Sequence, residues 1–301
     1  MKLKVAIIGL GYLGQNLAGK LIEDQRFELT ALIDSDPSKQ GLSIAGIAVS
    51  DDLEAKLKNI DLVFITTSSL LSQIKDTLVT VIKHKVNIVS SCEELIFPYY
   101  SHPQLSGELD QLAKLNSVQL LGTGINPGFL MDYLITVCSK AVLNVKAIKY
   151  TRHIDTANRR VTFQDKVGLG LSLNEFKNKQ AEGRIGHVGF RQSVDMLLHY
   201  FNWTVDSYEE NIKAIEADAI VQGIHQEAKC ITKDKQSIEL LFIASSQASD
   251  NDHLVLELEN AAPLIIDIPN GINGESGTAA MLMNSAALLH KTQPGLKTML
   301  D

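Results

Sequence analysis

Apolar residues in the first 125 positions recur in two alternating patterns. Short uninterrupted runs at Val5–Ile8, Thr30–Ile33, Leu62–Thr66, Val86–Ser90 and Val118–Gly122 have the length and β-branched content of buried strands. Between them, Leu13–Glu23, Asp52–Lys58, Leu71–Lys83 and Pro103–Leu115 carry apolar residues at helical spacing. Such alternation predicts a doubly wound parallel sheet. Near residue 145 the pattern changes. Val145–Ile154 reads as a strand and a glycine-rich stretch runs from Gly168 to Gly189, with a short helix opened by a Ser172-x-x-Glu175 capping box. A helix over Gln192–Phe201 follows. Next come period-two segments at Lys213–Gln222, Ile224–Thr232, Ser237–Ala244, His253–Glu259 and Leu264–Ile268, broken by turn clusters. These predict an antiparallel sheet. A last helix, Thr278–His290, is rich in Ala, Leu and Met. The expected class is α/β: a doubly wound parallel sheet, then a second α+β domain on an antiparallel sheet. The first domain is expected over 1–125, with the C-terminal segment 272–301 returning to it. The second spans 126–271, and the cleft between them is the expected substrate site.

The link from the first strand to its helix sharpens this picture. It reads Gly9-Leu10-Gly11-Tyr12-Leu13-Gly14. Gly9 permits the tight turn, Gly11 lets a pyrophosphate approach the backbone, and Gly14 lets the helix lie close to the strand. The helix N-terminus then offers N–H groups and a positive dipole end to phosphates. Asp34 ends the second strand about 20 residues beyond Gly14, placed to accept the hydroxyls of an adenosine ribose. The domain is therefore expected to be a Rossmann-type dinucleotide-binding unit for NAD or NADP. Asp34 favours NAD by repelling a 2′-phosphate, whereas Ser35 and Lys39 would tolerate one. Ligands in such sheets bind at the carboxyl ends of strands. This adds Tyr12, Leu13, Thr66, Thr67 and Ser68 to the cofactor candidates.

Bulk properties narrow the classes. The 301 residues are 45% hydrophobic and 21% charged, with net charge -7. They suffice for two cored domains. No dense Lys/Arg cluster exists, so neither nucleic acid nor an anionic membrane is an expected partner. No apolar run approaches the ~20 residues of a membrane span. Lys2 and Lys4 precede an apolar stretch, but its three glycines, Gln15, Asn16 and Lys20 are unlike a signal peptide. Cys92, Cys138 and Cys230 have no metal spacing and are odd in number, which points to a reducing cytoplasm and no metal.

Three segments carry candidate chemistry. Ser90-Ser91-Cys92-Glu93-Glu94-Leu95 follows the fourth strand. One acid of the pair fits a helix N-terminus. The other, facing the nicotinamide side, fits a proton acceptor for a substrate ammonium. Glu93 is the preferred catalytic member, with Glu94 held as the alternative. Gly122-Thr123-Gly124-Ile125-Asn126-Pro127-Gly128-Phe129 follows the fifth strand and brings Asn126 and Phe129 to the same end. It also reads as a domain-linking turn. Arg152-His153-Ile154-Asp155 and Gly186-His187-Val188-Gly189 supply Arg152 and His187, which would meet the substrate or its carboxylate. Arg159 and Arg160 read as an ion-paired face. His84, His102, His199, His253 and His290 are assigned no role.

Together with Arg160–Gly170 and Thr278-Ala279-Ala280-Met281, these motifs run in an order that resembles the 2,4-diaminopentanoate dehydrogenases. That family groups with the native bacterial amine dehydrogenases and is distantly related to dihydrodipicolinate reductase. The resemblance implies reversible oxidative deamination of an amine to a ketone and ammonia. It implies a glutamate of the Glu93–Glu94 pair as acid/base, Asn126 beside the nicotinamide, and Arg152 and His187 lining the substrate cleft. Ile154 and Phe129 complete the expected lining, with Ile154 apolar where relatives often carry a polar group. A homodimer is expected, since two-fold dimers are the commonest oligomers. Two other functions remain open. A C=N or C=O reductase of the dihydrodipicolinate type would want a basic His-rich pocket, which is not evident. A dinucleotide-sensing protein without turnover would not need the glutamate pair.

Overall fold

The computed structural model describes residues 2–157, 159–289 and 291–301, so His290, to which the sequence reading gave no role, lies outside the described residues. The chain divides into two units: residues 2–130 with 274–301, and residues 131–273.

The first unit begins β1 (Leu3–Ile8), α1 (Tyr12–Glu23) and β2 (Phe27–Ile33). A hairpin of β3 (Ser43–Ile44) and β4 (Ile47–Ser50) follows, then α2 (Leu53–Lys56), β5 (Leu62–Ile65), α3 (Leu71–Lys83) and β6 (Asn87–Ser90). After a single 3-10 turn at Glu93–Leu95 come α4 (Pro103–Asn116) and β7 (Gln119–Gly122).

The second unit holds α5 (Tyr133–Ser139), β8 (Val145–Asp155), α6 (Val161–Lys166), α7 (Leu173–Ala181) and α8 (Phe190–Tyr200). Its remaining strands are β9 (Val205–Ala217), β10 (Ile220–Thr232), β11 (Ser237–Ser245), β12 (Asn251–Leu258) and β13 (Ala261–Pro269). The chain then returns to the first unit with α9 (Gly274–Leu289) and β14 (Gly295–Lys297). Among the described residues, no helix is long and apolar enough to cross a membrane.

The first sheet has the order β14-β7-β6-β5-β1-β2-β4-β3 and is parallel apart from the β3–β4 hairpin. Alternation within β1 shows why it is wound on both faces. Ala6 and Ile8 pack with Leu71, Ile74, Leu78 and Leu109 of α3 and α4. Val5 and Ile7 pack with Leu17, Leu21, Leu282 and Ala286 of α1 and α9. A strand buried on both sides reads as the continuous apolar run seen in the sequence.

The second sheet has the order β13-β12-β8-β11-β10-β9. It is antiparallel except for its central pair, where β11 runs parallel to β8. That parallel pair departs from the sequence reading, as do α5, α6 and β14, which it did not contain. The expected strand Lys213–Gln222 is divided between β9 and β10 by a tight turn at Asp218 and Ala219, both at positive φ. The β3–β4 hairpin, turning at Ala45 and Gly46, was not foreseen. The predicted capping box is present: Ser172 Oγ accepts from Glu175 N–H, and Glu175 Oε2 accepts from Ser172 N–H.

Candidate active site

The site candidates fall into two groups, one in each unit. In the first unit the glycine turn leaves β1 with Gly9 at φ +95°, its N–H donating to Ile33 O at 2.8 Å. A Cβ on Gly9 would lie 2.6 Å from Thr67 Cγ2, and one on Gly14 would lie 2.0 Å from Gly9 O. Both glycines are therefore required by packing. A Cβ on Gly11 would meet nothing within 4 Å. Gly11 lies on the open side of the turn, where a pyrophosphate can come close to backbone. It is also the N-cap of α1 and supplies no side-chain cap. The helix end thus retains its affinity for an anion, and these features fit a bound dinucleotide. Thr66 Oγ1 donates to Gly9 O at 2.7 Å and braces the turn. Leu13 packs into the core, Tyr12 is exposed, and Ser68 Oγ engages Gln73.

Asp34 is buried at the end of β2. Its Oδ2 accepts from Leu10 N–H at 2.6 Å and from Lys39 Nζ at 2.8 Å, and its Oδ1 accepts from Asp36 N–H at 2.9 Å. Burial pushes its carboxyl up, but the hydrogen bonds from Lys39, Leu10 and Asp36 prevail and hold it below the usual range. Asp34 is therefore ionised at neutral pH and already engaged with the glycine turn. Ser35 beside it is exposed.

The glutamate pair lies on the 3-10 turn after β6. Ser90 Oγ donates to Ile65 O and accepts from Cys92 N–H, tying the strand end to β5. A Cβ on Gly122 would fall 2.5 Å from the Leu95 carbonyl carbon, so β7 approaches this turn closely. Glu94 Oε2 accepts from Leu71 N–H at 2.6 Å and lies 3.4 Å from His102 Nε2. Glu94 thus caps the N-terminus of α3, a favourable place for a carboxylate. Glu93 is half-buried on the same turn. Burial, with the Glu93 and Glu94 charges adding to it, pushes the Cys92 thiol up to about 12, so it is no thiolate nucleophile at neutral pH. The next loop closes on itself through Leu130 N–H to Ile125 O at 3.0 Å, with Asn126 and Phe129 half-buried along it.

In the second unit one transverse row crosses the whole sheet: Ile268, Asp252, Arg152, Phe242, Gln226 and Ile212 stand at matching register. Arg152 and Asp252 are 2% and 1% exposed. Arg152 Nη1 lies 3.1 Å from each Asp252 carboxylate oxygen, and its Nη2 donates to Ile272 O at 2.6 Å. Ile272 N–H in turn donates to Asp252 Oδ2. The pair therefore clamps the backbone just before the chain leaves this unit, an engagement that the sequence reading of Arg152 as a substrate contact did not include. Ile154 is buried as well. Arg159 is ion-paired to Asp250 at 2.6 Å.

His187 is held by the same row. Gln226, fully buried, accepts from His187 N–H at 2.7 Å and donates to His187 O at 2.8 Å. The imidazole stacks on Phe242 at 5.3 Å and meets the edge of Phe190 at 5.6 Å. Burial, then the Lys166 and Arg152 charges, push its pKa down to about 3. The ring is neutral at working pH. The folded-state pKa lies below the unfolded value of 6.5, so this stabilisation is full above pH 6.5 and is lost as pH falls towards 3. Lowering the pH from 7 to 5 is therefore expected to cost the wild type about 2 kcal/mol more than a His187→Gln variant. Urea unfolding of both proteins at the two pH values measures this. Equal losses would show that the folded protein does not hold the His187 imidazole neutral.

Sequence reasoning overlooked Asp252, Phe242 and Gln226, gave His102 no role, and read Lys39 only as tolerating a 2′-phosphate, not as the partner of Asp34. For Asp252 and Gln226 a signal existed: each is a polar residue on the apolar phase of an alternating strand, beside Leu254 or between Ile224 and Ala228. Phe242 on that phase looks like ordinary core, and nothing local marks the Glu94–His102 or Asp34–Lys39 pairing.

The comparisons with known proteins agree with this anatomy. Residues 3–118 match an oxidoreductase family with an NAD-binding Rossmann fold. The chain is 27% identical to the 2,4-diaminopentanoate dehydrogenase of Acetoanaerobium sticklandii, over all of this chain and 93% of that protein. Its fold is similar to an amine dehydrogenase from Mycobacterium smegmatis (TM-score 0.84, 20% identity, 99% of this chain and 95% of the other). It is also similar to scyllo-inositol dehydrogenase from Lactobacillus casei, solved with NAD(H) (TM-score 0.59, 14% identity, 95% and 89% covered). Residues 129–301, more than half of the chain, match the 2,4-diaminopentanoate dehydrogenase C-terminal domain, and the chain belongs to that family.

Proposed function

We propose that this protein is an NAD(P)-dependent amine dehydrogenase. It converts an ammonium-bearing carbon, water and oxidised cofactor into a ketone, ammonium, reduced cofactor and a proton. The observation that carries the reading is the placement of the Glu93–Glu94 turn at the carboxyl end of β6, on the same sheet end as the glycine turn after β1. Family membership and the similarity to a named 2,4-diaminopentanoate dehydrogenase support it.

When bound, the nicotinamide takes a hydride from the amine carbon. The protein handles protons and position. Glu94 caps α3 through Leu71 N–H; Glu93, half-buried on the same turn at the carboxyl end of β6, is the proposed acid/base. Glu93 takes a proton from the substrate ammonium, which frees the nitrogen lone pair to expel hydride. That proton passes to solvent; the ionised Glu93 then takes a proton from the water that adds to the iminium carbon, gives it to the nitrogen, and takes the hydroxyl proton as the C=O bond forms, handing it to the departing ammonia. Asn126 is the proposed neighbour of the nicotinamide. His187, held by Gln226 and neutral, is the proposed substrate contact of the second unit; Phe129 is a proposed substrate contact of the first. Arg152 acts by holding Ile272 and by adding positive charge near His187.

The preferred amine is 2,4-diaminopentanoate or a simpler relative, and the preferred cofactor is NAD. The three unpaired cysteines support a reducing cytoplasm. Turnover of an amine panel with NAD, followed at the absorbance of the reduced nicotinamide, tests the activity. No turnover of any amine, beside tight dinucleotide binding, would favour a sensor instead.

The solvent side of the second sheet is the proposed dimer surface. Ile265 there is 51% exposed, and Leu241 and Ile243 on the same face, three strands away, are half-buried. Light scattering at micromolar concentration is expected to give twice the 33.0 kDa chain mass. A particle of single-chain mass would contradict a dimer.

A further inference from the structure

We propose that Lys39 sets how strongly this chain discriminates between NAD and NADP, by neutralising Asp34 and by standing ready for a 2′-phosphate. The inference rests on the dinucleotide-binding reading of the first unit.

Asp34 is held by three donors, and they differ in kind. Leu10 N–H and Asp36 N–H belong to backbone fixed by the glycine turn and by the bend after β2. Together they fix the carboxylate whether or not a third partner is present. The third, Lys39 Nζ at 2.8 Å, is the end of a flexible side chain that is 25% exposed. It is the one partner that can leave without disturbing the turn. A single 3-10 turn at Pro37–Lys39 brings it there, started by Asp36 Oδ1 accepting from Ser38 N–H. Lys39 also lies 3.8 Å from Asp36 Oδ2.

This arrangement changes what a carboxylate at the end of β2 does. An uncompensated acid at that position accepts ribose hydroxyls and repels a phosphate on the 2′-oxygen. Here the carboxylate carries its own counter-ion. A carboxylate has about four lone-pair sites, three of them in use, so a ribose hydroxyl can still be accepted. A 2′-phosphate meets an ammonium as well as a carboxylate, and the Lys39 ammonium can turn to it from Asp34. The expected consequence is a weak preference for NAD, with Lys39 keeping NADP usable.

Binding, not turnover, tests this directly. NADH and NADPH are titrated by fluorescence into the wild type, Lys39→Met and Lys39→Arg, at low and high salt. The wild type is expected to bind the two within about tenfold of each other. Lys39→Met should change the NADH affinity by less than about threefold and weaken NADPH at least about tenfold. Lys39→Arg should keep the wild-type ratio. The gap between wild type and Lys39→Met for NADPH should narrow at high salt, because it is a charge effect. Equal weakening of both cofactors in Lys39→Met would show that Lys39 only braces the loop, and would overturn the proposal. An unchanged ratio would overturn it too. Failure of the wild type to bind either cofactor would refute the dinucleotide reading itself, a result distinct from both.

Discussion

Glu93→Gln is expected to lower kcat on the order of 10²–10⁴-fold, with little change in the affinity for NADH. The substitution keeps size and removes basicity. Glu94→Gln should behave differently. Its oxygen can still accept from Leu71 N–H, so the cap at α3 survives in weakened form. The loss there should appear as a lower melting temperature and a modest fall in kcat. Steady-state kinetics on the best amine, with NADH titrations of each variant, separate the two. Near-normal turnover in both variants would mean that neither carboxylate handles the proton. A large kcat loss confined to Glu94→Gln would move the acid/base role to the capping residue.

The second large effect is expected at Arg152. Its guanidinium and the Asp252 carboxylate are both almost fully buried, and together they bind both backbone groups of Ile272. Removing one partner leaves an uncompensated charge in the interior, which costs about 3–5 kcal/mol. Arg152→Met should therefore lower the melting temperature on the order of 10 °C. The double variant Arg152→Met with Asp252→Leu should recover much of that loss, because replacing a whole buried pair by apolar groups is often close to neutral. Unfolding by urea and by heat checks both. An unchanged melting temperature with a raised KM would instead assign Arg152 to direct substrate binding.

The parallel sheet was legible because strands buried on both faces leave continuous apolar runs, as Val5–Ile8 and Leu62–Ile65 do. The glycine turn was legible for a related reason: two of its three glycines are compelled by contacts of 2.6 Å or less, which only glycine accommodates. Tight turns without an Asn-Gly or Asp-Gly signal were not legible. Ala45 and Asp218–Ala219 adopt positive φ in residues that rarely advertise it. The partners of the candidate residues were the least legible. Glu94 finds Leu71 through the fold, Asp34 finds Lys39 through one turn of 3-10 helix, and Arg152 finds Asp252 across a sheet. In each case the residue was visible, and the group that fixes its charge and direction was far along the chain or marked by nothing local.

The central claim is that the chain moves hydride to and from a carbon bearing nitrogen. The most direct measurement runs the reaction towards the amine. The ketone matching the best amine of the panel is incubated with NADH and ¹⁵N-labelled ammonium, and the product is read by mass spectrometry. The account predicts NADH oxidation that depends on ammonium and an amine carrying one ¹⁵N per NADH consumed. NADH oxidation that proceeds without ammonium and yields the alcohol would contradict it, and would mark the protein as a carbonyl reductase.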